Sequence, residues 1–551
     1  MMKFMKENFD NSGTLVRFML KRERVISTVW IGIVVILSVL LAPAMESMFP
    51  DMASRTQIAM IYDNPIMVSM MGPIYGADNF TAGAMYSSMM LLWIIITVGI
   101  MNIFLVIRHT RADEEKGRAE VVRSLPVGRL ANINAVMITA VILNFIMGLL
   151  TGLGLALVGI ESMNLAGGIL YGAVMFSSGL IFAAVTALFC QLSSNASGAS
   201  GLSFLVLGVF YIIRAAGDIN NSEILACISP LGLAQRAQIY IANYWQPVFI
   251  LLIETVIIFA AAYSLNFIRD LDQGFIAARP GRKEASRNLS SSFGLAFRLL
   301  KTPLIIWIIV MFLLGMSYGS VIGDIDSFVS NSPDYLRIIG IPETVLEMMA
   351  DAEKEKIIVD YFGAFVTTMM TLICIVPLLN TAMRLRKEER EHRAENILSR
   401  FVSRTEYLAG YTLLAYIASV LIQLATAAGL YLSAAAATGD ANPFTFGGLV
   451  RAYMAYLPAL WVMIGVAILL VGMFPRASGA IWGYFGFVCF TSFMGGLVNI
   501  PEWLLGISPL KHIPQLPLEE MSVMPLVILT VIAVVLTAVG FIFYRKRDME
   551  A

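Results

Sequence analysis

Residues 114–129 read EEKGRAEVVRSLPVGR, and residues 389–404 read EREHRAENILSRFVSR. The triplet Arg-Ala-Glu recurs in them at an offset of 275, and each stretch lies between two long apolar segments. A membrane protein built from two related copies usually forms one pathway between them. The repetition therefore predicts a tandem duplication. Further matches at offsets of 275 to 281 relate Ala-Ser-Gly-Ala at 196–199 to 477–480, Ile-Ser-Pro-Leu at 228–231 to 507–510, and Arg-Asp at 269–270 to 547–548.

The composition is typical of a membrane protein. Of the 551 residues, 58% are hydrophobic and only 14% are charged, which is far outside the averages of soluble domains. About 20 apolar residues cross a bilayer as a helix. The sequence therefore predicts an all-α integral membrane protein with twelve transmembrane helices in two tandem six-helix repeats. The predicted spans are 25–46, 84–108, 130–158, 164–190, 196–214, 246–267, 303–320, 360–384, 405–434, 450–474, 477–498 and 524–544.

The predicted domain organisation follows the repeat. A first six-span repeat covers 1–267, a polar cytoplasmic linker covers 268–294, and a second six-span repeat covers 295–551. Basic and large apolar residues alternate just before the first span of each repeat, at 15–22 and 295–301. This pattern predicts an amphipathic elbow helix at the membrane surface in each repeat.

The distribution of Lys and Arg predicts the orientation. With both termini in the cytoplasm, the cytoplasmic segments hold about 30 of the 38 Lys and Arg residues, as the positive-inside rule requires. Asp and Glu divide almost evenly between the two sides. The formal net charge of zero argues against a nucleic-acid partner. We therefore expect a multi-pass membrane protein with both termini cytoplasmic, surrounded by membrane lipids.

The chain lacks the sequence motifs of the common hydrolases. It contains no phosphate-binding GxxxxGK[ST] loop, no HExxH and no cysteine pair with zinc spacing. One GxSxG match, at 315–319, ends an apolar span without a nearby histidine, so close helix packing explains it better than catalysis. We expect no catalytic residue, no metal and no cofactor in this chain.

The repeated charged stretch allows two interpretations. A helix with interleaved acidic and basic residues is often only a solvated, salt-bridged surface. The Arg-Ala-Glu core is nevertheless the same in both copies, although the surrounding apolar spans differ. Two equivalent faces suit a two-fold soluble partner, and we therefore favour docking sites.

The pattern EExGRxExxxSxPVxR after the second of six spans resembles type 2 ABC exporter permeases, most of all the large duplicated permeases for polyketide antibiotics. The resemblance covers the whole chain and implies a bacterial cytoplasmic-membrane permease that exports an amphipathic or hydrophobic small molecule or peptide. It further implies two separate nucleotide-binding ATPase subunits, which hold ATP and Mg and dock on two coupling helices. The residues implied in ATPase docking are Glu114, Glu115, Arg118, Glu120, Arg129, Glu389, Arg393, Glu395 and Arg404.

The second copy departs from this pattern. His392 stands where the first copy has Gly117, and Phe-Val-Ser at 401–403 stands where the first copy has Pro-Val-Gly at 126–128. These differences predict that the two docking sites are unequal.

Candidate substrate-pathway residues lie within the spans. Glu254 is a lone carboxylate in the apolar run FILLIETVIIFAAAY. Carboxylates in hydrocarbon are costly and usually face the bundle interior. Glu254 allows two interpretations. Its carboxylate either contacts a cationic group, which belongs to the substrate or to a gating partner such as Arg214, or it is a hydrogen-bonded structural residue. Methionine pairs in the second span of each repeat suit variable apolar ligands: Met89, Met90, Met369 and Met370.

Other classes of protein stay open at this point. The main alternative is a secondary transporter driven by an ion gradient through Glu254, although that class favours more acidic residues within spans and broken helices at the midplane. A membrane-embedded lipid-modifying enzyme and a kinase-linked sensor are weaker alternatives.

Overall fold

The computed structural model describes residues 7–62, 65–270, 273–276, 284, 289, 291–320, 322, 351–400, 402–439, 442–494, 501–516 and 518–548. All regular elements within these ranges are helices. The chain folds as two compact units, unit 1 (Met1–Gly281) and unit 2 (Arg282–Ala551).

The described residues of unit 1 form twelve α-helices and a 3₁₀ turn at Ala77–Asn79. The helices are α1 (Ser12–Met48), α2 (Met52–Tyr62), α3 (Pro65–Met71), α4 (Ala82–His109), α5 (Arg111–Glu115), α6 (Arg118–Arg123), α7 (Ala131–Leu157), α8 (Leu165–Leu192), α9 (Ala196–Ile219), α10 (Glu223–Ile228), α11 (Pro230–Gln235) and α12 (Gln246–Ile268).

The described residues of unit 2 form nine α-helices and two 3₁₀ turns, at Pro475–Ala477 and Pro509–His512. The helices are α13 (Ser292–Ser320), α14 (Asp351–Arg390), α15 (Arg393–Leu398), α16 (Arg404–Thr438), α17 (Phe446–Ala455), α18 (Leu457–Met473), α19 (Ala480–Met494), α20 (Glu502–Leu505) and α21 (Val523–Lys546).

The predicted all-α membrane class is confirmed. Ten helices and the consecutive pair α17–α18 in the described part of the chain are long and apolar enough to cross a membrane, which gives eleven candidate spans. The span predicted at 477–498 differs from the others, because its helix α19 begins only at Ala480, after a 3₁₀ turn that starts at Pro475. Its apolar stretch, Ala480–Ser492, is shorter than a usual crossing. The last residues of this predicted span lie outside the described ranges.

The predicted elbow segments are parts of longer helices. Residues 15–22 form early turns of α1, which continues without interruption through the predicted first span. Residues 295–301 likewise belong to α13. A continuous helix forms because no proline interrupts α1 before Pro43 and apolar side chains at helical spacing keep one face against the unit. The predicted elbow segments are therefore continuous with the long helices that follow them.

The two units use the same helix pairs. In each unit the first long helix packs against the third, as α1 on α7 and α13 on α16, and the fourth packs against the last, as α8 on α12 and α18 on α21.

Glycines allow several of these helices to come close together. A Cβ added to Gly148 would overlap the carbonyl of Gly172, and one added to Gly152 would overlap that of Gly168. In unit 2 Gly472 approaches Gly540 in the same way. The GxxxG spacing at 148–152 thus marks close helix packing, as its sequence predicts.

Candidate functional site

A left-handed residue breaks each of the two charged segments, which we define as residues 111–129 and 386–404. In the first charged segment, Gly117 has φ 67° and separates α5 from α6. In the second, His392 has φ 54° and separates α14 from α15. The Arg-Ala-Glu triplet therefore begins a new short helix in both units, and the acidic residues before the break belong to the preceding helix.

Glu114 holds the first charged segment against the end of α12. Its carboxylate accepts hydrogen bonds from Arg111 at 2.7 Å and from Arg269 at 2.5 Å. The side chains of Arg111, Arg269 and Glu114 are only 1%, 4% and 9% exposed. Arg111 also donates to the carbonyl of Cys190 at 2.6 Å, and both arginines donate to the carbonyl of Gln273. The carboxylate and its two guanidiniums thus form a largely buried ionic clamp.

Glu389 makes the same clamp in unit 2. Arg386 donates to it at 3.3 Å and Arg547, which follows α21, donates at 2.6 Å. The side chains of Glu389 and Arg547 are 4% and 11% exposed. Each charged segment is therefore anchored to the end of the last long helix of its own unit by an acidic residue between two arginines.

A backbone contact reinforces each clamp. Arg129 donates to the carbonyl of Arg269 at 3.1 Å and stacks over the ring of Phe267 at 5.4 Å. Arg404 donates to the carbonyl of Arg547 at 2.6 Å. The arginine after the last long helix thus contacts its charged segment through both its guanidinium and its own carbonyl.

A second acidic residue links the helix before the left-handed residue to the short helix after it in each segment. Asp113 accepts from Arg118 at 3.2 Å, and the corresponding Glu388 accepts from Arg393 at 2.7 Å. Although partial burial opposes it, the hydrogen bond and charge of Glu388 raise the pKa of Arg393 above its ordinary value. The Asp113 carboxylate also accepts a hydrogen bond from the guanidinium of Arg22 on α1 at 2.6 Å.

The remaining candidate docking residues lie on the exposed side. Arg118 and Arg393 are 55% and 50% exposed. Glu395 is 60% exposed beside His392, and Glu120 is exposed with no partner among the described residues. Glu115 is exposed and accepts a hydrogen bond from the Ala196 backbone N–H at 2.6 Å, at the start of α9.

The structure therefore sorts the predicted docking residues into two groups. Glu114 and Glu389 point into their own units, and Arg129 and Arg404 contact the backbone there. Glu120, Glu395, Arg118 and Arg393 are accessible from outside.

The exposed faces of the two segments differ in chemistry. In the first, Val121 and Leu125 are 67% and 57% exposed. At the offset of 275, their counterparts are Asn396 and Arg400, both exposed. One unit therefore presents an apolar face and the other a polar, basic face.

Sequence reasoning did not assign roles to several clamp residues. Arg111, Arg386 and the linking acids Asp113 and Glu388 were visible only as members of a charge run. The recurrence of Arg-Asp at 269–270 and 547–548 was the available signal for Arg269 and Arg547.

The methionines proposed for a substrate pathway do not share one environment. Met89 is 5% exposed and Met370 is fully buried, each within the apolar core of its unit. Met90 and Met369 are half-buried, and the Tyr318 hydroxyl contacts the Met369 sulfur at 3.6 Å. Of these four methionines, Met90 and Met369 are the ones accessible to a ligand within their own units.

Glu254 lies on a half-exposed position of α12. Its neighbours Ile253 and Ile257 are 59% and 63% exposed, and it has no hydrogen bond or ion pair with any described residue. The proposed partner Arg214 is instead fully buried, pairs with Asp218 at 3.4 Å and donates to the carbonyl of Ser69. Glu254 and Arg214 are therefore not paired in this structure, in which the guanidinium of Arg214 contacts the Asp218 carboxylate and the Ser69 carbonyl instead.

The described residues contain no group of three His, Cys, Asp or Glu side chains that could hold a metal ion. All four cysteines are free thiols: Cys190, Cys227, Cys374 and Cys489.

The eleven long apolar helical segments among the described residues, with short charged helices at the ends of some of them, define a multi-pass α-helical membrane protein. The family model "Multidrug efflux system permease Rv1217c, C-terminal domain" matches residues 19–265 and again residues 289–545. The chain belongs to this permease family. The multidrug efflux system permease protein Rv1217c of Mycobacterium tuberculosis is 31% identical to it over 552 residues, an alignment that covers 98% of this chain and 96% of that relative.

Proposed function

We propose that the chain is the membrane-embedded subunit of a type 2 ABC exporter that moves amphipathic or hydrophobic, drug-like compounds out of a bacterial cell. The main observation behind this proposal is the matched pair of charged segments. Each is clamped on its inner side by a buried carboxylate and presents its outer side to solution. A chain that belongs to a family of efflux permeases fits a role in transport, and we assign ATP hydrolysis to other subunits.

The proposal includes the orientation and the repeat. The excess of Lys and Arg in the charged segments places them, and both termini, in the cytoplasm. Two matches of one family model within the chain, and the same helix pairs in both units, support two tandem six-span repeats at 1–267 and 295–551. Most of the linker at 268–294 lies outside the described residues.

The clamps suit a coupling role because of their burial. A helix transmits a displacement only when it is held rigidly to the element that must move. A buried ion pair provides such a rigid attachment, because separating its partners would leave a buried charge without compensation, which is strongly destabilising. Glu114 and Glu389 connect each segment directly to the last long helix of its unit. We propose that two ATPase subunits, which bind ATP and Mg, grip the exposed sides and move both segments when they close.

The rival interpretation, a merely solvated surface helix, accounts less well for these contacts. Exposed salt bridges contribute little to stability, and nothing in a solvated helix requires two nearly buried arginines around one carboxylate. The same arrangement in both units favours a shared mechanical role.

The test is co-purification with a candidate ATPase, followed by ATP hydrolysis in nanodiscs. We expect Glu120→Arg combined with Glu395→Arg to release or uncouple the ATPase, since both carboxylates are exposed and neither belongs to a buried clamp. The matched control is Glu161→Arg with Glu502→Arg, which reverses one exposed acid in each unit outside the charged segments. Equal ATPase retention and hydrolysis in wild type and both double variants would falsify the docking proposal.

A gradient-driven transporter is the second candidate, and the unpaired carboxylate of Glu254 in an apolar helix is the observation that favours it. The two mechanisms separate when transport is measured with a catalytically inactive ATPase. Transport that persists, requires an ion gradient and is lost in Glu254→Gln would establish the alternative.

A further inference from the structure

A cavity of about 430 Å³ opens in unit 1 beside the first charged segment. Its walls come from the first turns of α1, from α6 and from the start of α7. Four arginines line it: Arg22, Arg118, Arg123 and Arg129. All of these residues belong to unit 1, so the cavity is a property of that unit alone.

The arginines around this cavity outnumber the available carboxylates. Asp113 is shared by Arg22 at 2.6 Å and Arg118 at 3.2 Å. Arg123 has no hydrogen bond or ion pair with a described residue, and Arg129 bonds only to a backbone carbonyl.

The other lining carboxylate, Glu114, is already taken by the clamp to Arg111 and Arg269. Six guanidiniums therefore meet two carboxylates, which leaves a positive site able to accept an anion.

Apolar side chains form one part of the remaining wall, and Thr110, Asn132, Gln191 and Asn266 add polar groups to it. Phe18 on α1 is 57% exposed and Val121 on α6 is 67% exposed, and Val122, Val127 and Ile133 also line the cavity. A cationic rim next to an apolar wall suits an amphiphile with an anionic head and a hydrocarbon tail. The position at the end of the first transmembrane helix places the site at the level of lipid head groups.

We propose that this cavity binds the phosphate group of an anionic phospholipid from the adjacent leaflet, with Arg123 and Arg129 as its principal ligands. The acyl chain then lies against Phe18 and the valines. Clusters of arginine at this depth are the usual recognition element for anionic lipids. All lining residues of the site belong to unit 1, and two of them, Arg118 and Arg129, are also candidate docking residues.

Unit 2 lacks the principal ligand. At the offset of 275, Arg123 corresponds to Leu398, which is half-buried, while Arg129 corresponds to Arg404. The proposal therefore places one such lipid in unit 1 and none at the equivalent position of unit 2.

The test titrates detergent-purified protein with phosphatidylglycerol and follows bound lipid by native mass spectrometry. We expect Arg123→Gln with Arg129→Gln to weaken the apparent affinity by roughly 25-fold, at about fivefold per arginine. Arg123→Gln alone breaks no hydrogen bond or ion pair with a described residue, so its expected loss of affinity is about fivefold without a change in folding. The matched control, Lys387→Gln with Arg390→Gln, removes two exposed cations from unit 2 and should leave the affinity within about twofold.

Two further probes decide the source and the charge of the ligand. Phosphatidylcholine that binds as tightly as phosphatidylglycerol would overturn the requirement for an anion. If inorganic phosphate binds and Arg123→Gln weakens that binding, while phosphatidylglycerol does not bind, the ligand is a soluble phosphate and the proposal of a lipid is overturned. An affinity for phosphatidylglycerol that is unchanged in the double variant would place the lipid elsewhere.

Discussion

Gly117 and His392 occupy the same position in the two charged segments, and both have a left-handed backbone, with φ of 67° and 54°. Glycine adopts this conformation without steric cost, whereas a residue with a Cβ is strained there by about 1–2 kcal/mol. The helix break at this position is therefore maintained in unit 2 even though His392 disfavours the left-handed conformation.

This relationship predicts opposite effects of two substitutions. A Cβ at Gly117 meets no atom within 4 Å, so Gly117→Ala should lower the free energy of unfolding by about 1 kcal/mol through backbone strain alone. His392→Gly should raise it by up to about 1 kcal/mol, because the lost contact with Glu395 is exposed and contributes little. Thermal unfolding of the purified protein measures both. A stabilising Gly117→Ala would contradict the strain argument.

The buried clamps predict a large loss of stability from a single substitution. Arg547→Ala removes one of the two arginines that pair with the buried Glu389, and leaves only the longer contact with Arg386. We expect the free energy of unfolding to fall by about 3–5 kcal/mol. Glu395→Gln is the control, because that carboxylate is 60% exposed and its loss should cost about 0.5 kcal/mol or less. The triple variant Arg386→Met, Glu389→Leu and Arg547→Met should recover much of the loss, since it removes all three charges of the clamp together. A loss in Arg547→Ala no larger than in Glu395→Gln would show that the clamp is not a stabilising unit.

Close packing of α7 on α8 predicts a contrast between two glycines. Gly172→Ala places a Cβ against the Gly148 carbonyl and should destabilise the protein by about 1–3 kcal/mol through overpacking. Gly201→Ala on α9 meets open space and should stabilise its helix by up to about 1 kcal/mol. Midpoints of thermal unfolding in the same detergent give the comparison. Similar midpoints for the two variants would indicate that the helices separate readily.

Glu254 predicts selectivity for charge among transported compounds. Its unpaired carboxylate is available to a cationic group, so Glu254→Gln should reduce export of cationic compounds by about tenfold, equivalent to about 1.4 kcal/mol, and leave neutral ones unchanged. Ser264→Ala is a control on the same helix, where the hydroxyl bonds only to the Ala260 carbonyl. Export assays in proteoliposomes, with membrane insertion checked for each variant, provide the measurement. Equal export of cationic compounds by wild type and Glu254→Gln would assign this residue a structural role.

The sequence was sufficient for the membrane class and for most of the long helices. Runs of apolar residues of bilayer length depend on local composition, which is why eleven predicted spans match helices of the structure. The twelfth differs because Pro475 and a 3₁₀ turn delay the start of α19. The elbow segments differ because amphipathic spacing identifies a helical face and does not reveal whether that helix ends before the next apolar run.

The candidate site was predictable as a location and only partly in its detail. The repeat identified both charged segments, but a left-handed residue within each one changes which side of the segment a carboxylate faces. Spacing along one continuous helix therefore could not distinguish buried Glu114 from exposed Glu120. The partners Arg269 and Arg547 are 155 and 158 residues away in sequence from their carboxylates, a separation that no local pattern encodes.

Arg547 and Arg269 each contact a charged segment at two points. The guanidinium donates to a carboxylate of the segment, and the backbone carbonyl accepts a hydrogen bond from a second arginine of the segment. One attachment point would let the segment pivot freely about it. Two attachment points resist rotation of the segment relative to the helix as well as separation of the two. A push on either segment would therefore rotate the last long helix of that unit about its own axis as well as shift it, and would turn a different strip of its side chains towards the rest of the bundle.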